Sequence, residues 1–406
     1  MTRPLRFCMV TTFYPPYHFG GDAVYVYRLS NALARRGHHV DVVHDCDAFF
    51  AAGGREVGTP LAHHPNVHVH PMRSRFGLLS PLVTHQTAQP WLKRPLRDVL
   101  DAGSHDVVHF HNVSLIGPAA FALGRGVKLY TLHEHWLICP MHVLWKFDRE
   151  PCTERSCLAC TLHGRRPPQW WRYTSMLDRY LAHVDRFLSP SRFTRDRHLE
   201  QRSLPIDVLP YFVPPPEREA RDSAPPHDRP YFLFVGRLIK LKGLHTLIPV
   251  FRNYPGADLL VVGSGGHEAE LRALAADVPN VKFLGYIPHD RLSALYRHAI
   301  ALIMPSVGYE VFGIVLLEAF AHQTPVIVRA LGGMPEAVED SGGGMIYHDD
   351  RELVEAMRQL QASRSLRDEL GRKGHEAYSK LWDEDAHLAR YFEIIERELR
   401  SRTPGT

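Results

Sequence analysis

Apolar and polar positions along this chain follow two periods that take turns. Leu5–Thr11 is a short continuous apolar run of strand length, and the loop Phe13–Gly21 follows it. From Asp22 to Arg36 the residues Ala23, Val26, Leu29 and Leu33 recur at helical spacing and define one buried face. Asp22 suits the N-cap of that helix, and Gly37 its C-terminal stop. His39–His44 is the next strand, and Val67–His70, Asp106–His111, Val127–Leu132 and Arg186–Ser189 are further strand-like runs. Strands alternating with helices predict a parallel sheet covered on both faces.

The pattern breaks at Pro214–Pro230, where prolines and mixed charges replace any periodicity, and this reads as an interdomain linker. It then restarts with strands at Tyr231–Val235, Leu259–Gly263, Val281–Phe283, Ala301–Met304 and Val326–Val328. The helices between them are Gly243–Phe251, Glu268–Asp277, Asp290–His298 and Gly313–Gln323, and a long helical stretch, Leu353–Arg400, closes the chain with a break near Trp382. The expected organisation is a first domain over residues 1–213, a linker over 214–230, a second domain over 231–380 and a terminal helix over 381–406 that packs back on the first domain. Both domains are α/β and doubly wound.

The 406 residues are 45% apolar and 23% charged, which excludes a disordered or collagen-like chain and supplies two cores. No apolar run reaches the roughly 18–20 residues of a membrane helix; Gly313–Ala321 is interrupted by Glu318. The apolar start before Pro15–Pro16 is too short for a signal peptide, so a cytoplasmic protein is expected, resting on the inner face of a membrane at most. A net charge of +4 is too diffuse to argue for nucleic acid.

In open parallel sheets, ligands bind outside the carboxyl ends of the strands. Three such turns carry candidate chemistry. Gly20 and Gly21 precede a helix, where they let backbone N–H groups approach an anion closely. Arg237 and Lys242 lie in the loop after the second domain's first strand and offer a guanidinium fork and a point charge to phosphate. Glu310 stands in the loop Pro305–Phe312 and Glu318 about one turn into the next helix. Carboxylates there can accept from sugar or ribose hydroxyls, while the amides of Gly313 and Ile314 can meet a phosphate. A carboxylate inside the apolar run Gly313–Phe320 also demands partners, because burying it alone is costly.

With these residues in hand, the chain resembles glycosyltransferase family 4, retaining enzymes of the GT-B fold that use nucleotide-sugar donors. The motifs that carry the resemblance are Gly236-Arg237-Leu238 with Lys242-Gly243, Gly263-Ser-Gly-Gly266, Phe283-Leu-Gly-Tyr-Ile287, Pro305-Ser306, Glu310…Glu318, Pro325-Val-Ile327 and Gly332-Gly-Met-Pro-Glu336. In the first half, Gly20–Gly21, Asp106–His111 and Thr131-Leu-His133-Glu134 also match.

The resemblance implies two Rossmann-like domains facing a central cleft. It implies that Gly236, Arg237 and Lys242 bind the donor diphosphate, that Glu310 holds hydroxyls of the transferred sugar, and that Phe312, Gly313 and Ile314 line its pocket. Glu318 would take the ribose, Ile287 would lie near the base, His133 would face the reacting carbon, and Gly20–Gly21 would flank donor phosphate and acceptor. No catalytic metal is expected.

Glu134 replaces the family's common Asp. Leu209-Pro-Tyr-Phe212 replaces its usual Pro-Asn-Gly and receives no role. A nucleotide-sugar epimerase and a non-catalytic nucleotide-sugar binder are the alternatives on this architecture. A dinucleotide-dependent dehydrogenase is disfavoured, because Glu268 stands where the third fingerprint glycine belongs.

Four of the six cysteines, Cys139, Cys152, Cys157 and Cys160, crowd into one segment. Four thiols suit a structural zinc, their spacing also suits an iron–sulfur cluster, and disulfides or unpaired thiols are the plain alternatives. The acceptor is expected to be a sugar, a lipid-linked or a small-molecule hydroxyl, in polysaccharide, glycolipid or glycoside assembly. Arg73–Arg75, Lys93–Arg94 and Arg165–Arg172 interleave bases with Phe76, Leu78, Leu79, Trp91, Trp170 and Trp171. Such stretches suit contact with anionic lipid; the plain reading packs the tryptophans inside.

Overall fold

A computed structural model describes residues 3–55, 57–216, 224–288 and 291–402. The first sheet has seven parallel strands: β1 (Arg6–Thr11), β2 (His39–Asp45), β3 (Val67–Met72), β4 (Val107–Phe110), β5 (Val127–Thr131), β8 (Arg186–Ser189) and β9 (Ile206–Val208), in the spatial order 3-2-1-4-5-8-9. β6 (Trp145–Lys146) and β7 (Glu150–Pro151) form a separate antiparallel hairpin in the cysteine-rich segment. The second sheet has six parallel strands: β10 (Tyr231–Val235), β11 (Asp258–Val262), β12 (Val281–Gly285), β13 (Leu302–Met304), β14 (Val326–Arg329) and β15 (Gly344–Tyr347), in the order 12-11-10-13-14-15.

Each sheet buries both faces, and its strands divide their apolar residues accordingly. In β1, Phe7 and Met9 point into one core while Cys8 and Val10 point into another. In β10, Leu233 and Val235 share the first of these cores with Phe7, whereas Phe232 and Phe234 form a third. This is the period of two that a continuous apolar strand hides in sequence. One core therefore runs through both domains, joined by Tyr211, Phe212 and Val213 just before the linker.

The strand order reverses between β1 and β4 in the first sheet and between β10 and β13 in the second. At such switch points the loops diverge and leave a crevice at the carboxyl edge. The loops that leave there are Phe13–Gly20 after β1, His111 onward after β4, Gly236–Gly243 after β10 and Pro305–Phe312 after β13.

Several boundaries differ from the sequence reading. β9 and β15 are absent from it, being only three and four residues long and partly exposed. The start of the helix expected at Asp290 lies outside the described residues, and the helix itself is Ser293–His298. The final stretch consists of Asp350–Ala362, Arg364–Ala377, a π-helical turn at Tyr378–Trp382 and Glu384–Arg402. That last helix lies against the first domain: His387 Nδ1 donates to the Pro210 carbonyl at 2.9 Å, Tyr391 OH meets His109 Nδ1 at 2.8 Å, and Arg186 donates to Glu398 at 2.8 Å. The part of the linker at residues 217–223 lies outside the described residues.

Candidate active site

The second domain's two switch-point loops are locked together by a glycine. Gly243 has φ +73°, and a Cβ there would meet the Pro305 carbonyl oxygen at 2.0 Å. Only glycine allows that approach. The contact sets Lys242, at the end of a 3-10 turn, beside Glu310: Lys242 Nζ lies 2.8 Å from Glu310 Oε1, which also accepts from Ser306 Oγ at 2.8 Å. Arg237 is exposed at the start of the same loop, and the Gly236 N–H is held by the Val262 carbonyl at 3.0 Å.

Gly313, at φ +107°, caps the helix Ile314–Ala321. Ile314 faces the first domain, since a Cβ on Gly21 would meet its Cδ1 at 3.2 Å. Gly20 is the N-cap of the helix Gly21–Arg35 in extended conformation, so the glycine loop of one domain abuts the carboxylate loop of the other. Phe312 is buried, its ring against Tyr211 and Trp382. Ile287 is partly buried against the shared core.

Glu318 is buried, as its place on an apolar helix requires, and its partners come from elsewhere in the chain. Tyr296 OH donates to Oε2 at 2.9 Å, and Arg28 from the first domain's first helix lies 3.6 Å from Oε1. This ion pair crosses from one domain to the other.

His133 follows β5 at the carboxyl edge of the first sheet and is buried. Its Nδ1 lies 2.9 Å from Tyr211 OH, and its Nε2 lies 3.0 Å from His111 Nδ1. Burial lowers its pKa to about 4, so the ring is neutral at physiological pH. His111 is likewise pushed well down by burial, and its Nε2 has no hydrogen-bond partner among the described residues. Glu134 turns away toward the cysteine-rich segment, where its Oε2 pairs with His142 Nδ1 at 2.9 Å.

The arrangement thus brings Lys242 to Glu310 and Gly21 to Ile314, and links His133 through Tyr211 to Phe312. The sequence reading passes over Arg28 and Tyr296, and gives no site role to His111 and Tyr211, which lie in segments it names. The departure at Leu209–Phe212 was the only signal pointing to Tyr211, and it shows a substitution without its partner.

The cysteines are all free. Cys139, Cys152 and Cys157 line a cavity of about 460 Å³, with Arg155 and Arg197 on its wall. Cys160 Sγ accepts from the Phe147 N–H at 3.5 Å. Among the described residues no three His, Cys, Asp or Glu side chains converge as a metal ion requires. The thiols therefore share a neighbourhood without forming a closed donor set.

Comparison with known proteins decides the family. The model for Glycosyltransferase Family 4 matches residues 19–217, and that for Glycosyl transferases group 1 matches residues 216–377. The chain belongs to glycosyltransferase family 4. An uncharacterized glycosyltransferase of Methanocaldococcus jannaschii is 26% identical over 363 residues, covering 84% of each chain. Among solved structures, sucrose-phosphate synthase of Thermosynechococcus elongatus superposes with a TM-score of 0.75 at 21% identity, over 98% of this chain and 100% of that one. HepE of Anabaena, solved in complex with UDP-glucose, has a TM-score of 0.68 at 17% identity, over 97% of this chain and 100% of that one. The two facing parallel-sheet domains of this glycosyltransferase are the GT-B fold. No helix among its described residues is long and apolar enough to cross a membrane.

Proposed function

We propose that this glycosyltransferase transfers a sugar, with retention at the anomeric carbon, from a nucleotide-diphosphate sugar to an acceptor hydroxyl in polysaccharide, glycolipid or glycoside assembly. The observation that carries this reading is the Lys242–Glu310 pair, a cation for diphosphate and a carboxylate for sugar hydroxyls held 2.8 Å apart at a switch point. In HepE the bound ligand is UDP-glucose, which supports a nucleotide-sugar donor here.

In this reading Arg237, Lys242 and the Gly236 loop hold the diphosphate and stabilise the charge that grows on it as the bond to the anomeric carbon breaks. Glu310 orients the sugar, with Phe312, Gly313 and Ile314 around it. Glu318 takes the ribose hydroxyls and exchanges its contact with Arg28 for them, and Ile287 lies by the base. Gly20 and Gly21 flank the phosphate and the incoming acceptor. The acceptor oxygen bonds to the anomeric carbon on the face the diphosphate leaves, and its proton passes to the departing phosphate oxygen. His133, held through Nδ1 by Tyr211 and neutral, exchanges its Nε2 contact with His111 for a hydroxyl of the sugar and serves as a hydrogen-bonding partner and not as a cation. The cysteine segment takes no part in the transfer; a structural zinc on Cys139, Cys152, Cys157 and Cys160 would brace the acceptor side, and it would require the thiols to draw together.

The test is thermal stabilisation of the purified protein by a panel of nucleotide sugars and their parent diphosphates. A ligand at one hundred times its dissociation constant stabilises by about 2.7 kcal/mol. One nucleotide series should raise the midpoint in the native protein and fail to do so in Lys242→Met. A panel without effect, or an undiminished response in Lys242→Met, overturns the donor site. Release of nucleotide only when a hydroxyl acceptor is added separates transfer from epimerisation.

A further inference from the structure

Two stretches of the first domain hold no acidic residue. Residues 73–97 contain Arg73, Arg75, Lys93, Arg94 and Arg97, and residues 155–177 contain Arg155, Arg165, Arg166 and Arg172. The fold lays them side by side: Trp171 Nε1 donates to the His85 carbonyl at 2.9 Å, and Gln169 Nε2 reaches the same oxygen at 3.4 Å. Trp171 is buried there, and so is Lys93, in an ion pair with Asp45. Their neighbours are not. Trp91 is 65% exposed, Trp170 61%, Leu78 58% and Leu79 57%, and Phe76, Leu82 and Tyr173 are exposed as well. Arg75, Arg94, Arg97, Arg165 and Arg166 are exposed around them.

Large apolar side chains standing out of a surface are unfavourable in water unless something covers them. Two tryptophans among leucines and arginines, with no carboxylate within either stretch and Asp98 just beyond the first, 3.8 Å from Arg94, match an interface whose outer layer is anionic and whose inner layer is hydrocarbon. A protein partner would need acidic groups facing these bases and pockets for each tryptophan; a lipid surface offers both properties without specific fit. The position of the patch agrees. Arg73 directly follows β3 at the carboxyl edge of the sheet and donates to Tyr17 OH in the loop that carries Gly20 and Gly21. The apolar face thus leaves the same edge as the candidate acceptor side of the cleft.

We propose that this face, centred on Leu78, Leu79, Trp91 and Trp170, docks on an anionic lipid membrane and delivers a lipid-borne acceptor to the cleft. The docking rests on the surface alone, whereas the nature of the acceptor rests on the transferase reading above. The two fail separately, since nucleotide stabilisation needs no lipid and flotation needs no nucleotide.

The experiment is flotation of the full chain with phosphatidylcholine vesicles and with vesicles containing phosphatidylglycerol, at low and high salt. The protein should float with anionic vesicles and not with zwitterionic ones, and high salt should reduce the bound fraction. Trp91→Ala with Trp170→Ala should lower partitioning by about tenfold or more, and so should Arg75→Glu with Arg94→Glu. Both variants should keep the nucleotide response of the native protein, which shows that they are folded. Absence of flotation, equal flotation with both vesicle types, or native partitioning by both variants overturns the proposal. So does a concentration-dependent dimer that the tryptophan variant abolishes, because the face would then belong to a second copy of the chain.

Discussion

The hydroxyl of Tyr211 stands 2.9 Å from Nδ1 of His133, and the two rings lie parallel within 8°. Tyr211 also packs against Tyr25 of the first helix and, edge-on, against Phe312 of the second domain. One side chain at the crossing point of the chain thus fixes the orientation of His133 and touches the loop that carries Glu310.

Replacing Tyr211 by Phe keeps the stacking and removes the bond to His133. A buried imidazole nitrogen left without its partner costs about 1–3 kcal/mol of stability. The transfer rate should fall about tenfold or more, because a loosened ring no longer holds its reacting geometry, while the dissociation constant of the donor stays within about twofold. His133→Ala should slow transfer further, again with little effect on donor binding. Equal losses of rate and of donor affinity in either variant would assign both residues to donor binding.

The alternation of β and α and the two carboxylates at their eight-residue spacing were legible because each is local: apolar runs and a motif spanning one loop and the helix after it. The partners of Glu318 were not. Arg28 reaches Glu318 across nearly three hundred residues of chain, and nothing in the local pattern of the first helix marks it. Trp170 and Trp171 make the same point within one dipeptide. A 3-10 turn sends Trp171 inward to the His85 carbonyl and Trp170 outward, a division that composition cannot show.

Glu318 offers a second test. If its carboxylate receives ribose hydroxyls, Glu318→Gln keeps the shape of the site and loses the charge that both the hydroxyls and Arg28 meet. Donor dissociation should rise about tenfold, since a hydrogen bond to a charged group contributes about 1.5–3 kcal/mol. The native protein should discriminate strongly against a dideoxyribose form of the responding nucleotide, and the variant should not. Unchanged affinity for the ribose form would remove Glu318 from the donor site and leave it as an interdomain tie.

The cysteines predict a labelling pattern. Cys8, Cys46 and Cys139 are buried, and burial raises the pKa of each thiol. Cys152, Cys157 and Cys160 are half-buried in or beside the open cavity, within reach of a reagent, although burial raises the Cys152 thiol too and should make it the slowest of the three. A thiol reagent near pH 8 should therefore modify three groups quickly and the other three only after denaturation. Protection of all six, relieved by a chelator with release of zinc or iron, would show that the quartet closes around a metal in solution.

The histidines predict early loss of stability in acid. Burial lowers His44, His133 and His198 to about 4 and His387 to about 3, and pushes His109, His111 and His135 well below the ordinary 6.5. Each has a folded pKa below its unfolded one. Above pH 6.5 neither state holds the extra proton, and these groups leave stability unchanged. As pH falls through 6.5 the unfolded chain takes up protons that the folded chain refuses, so stability declines and continues to decline until the folded pKa is reached. At pH 5.5 one such histidine costs about 1.4 kcal/mol, and several act together. The thermal midpoint should be level above about pH 7 and drop steeply between pH 6.5 and 5, before ordinary carboxylates begin to titrate. A midpoint that holds level down to pH 5 would mean that these rings take up protons in the folded state as readily as in the unfolded one, and the lowering of the His133 pKa by burial would be refuted.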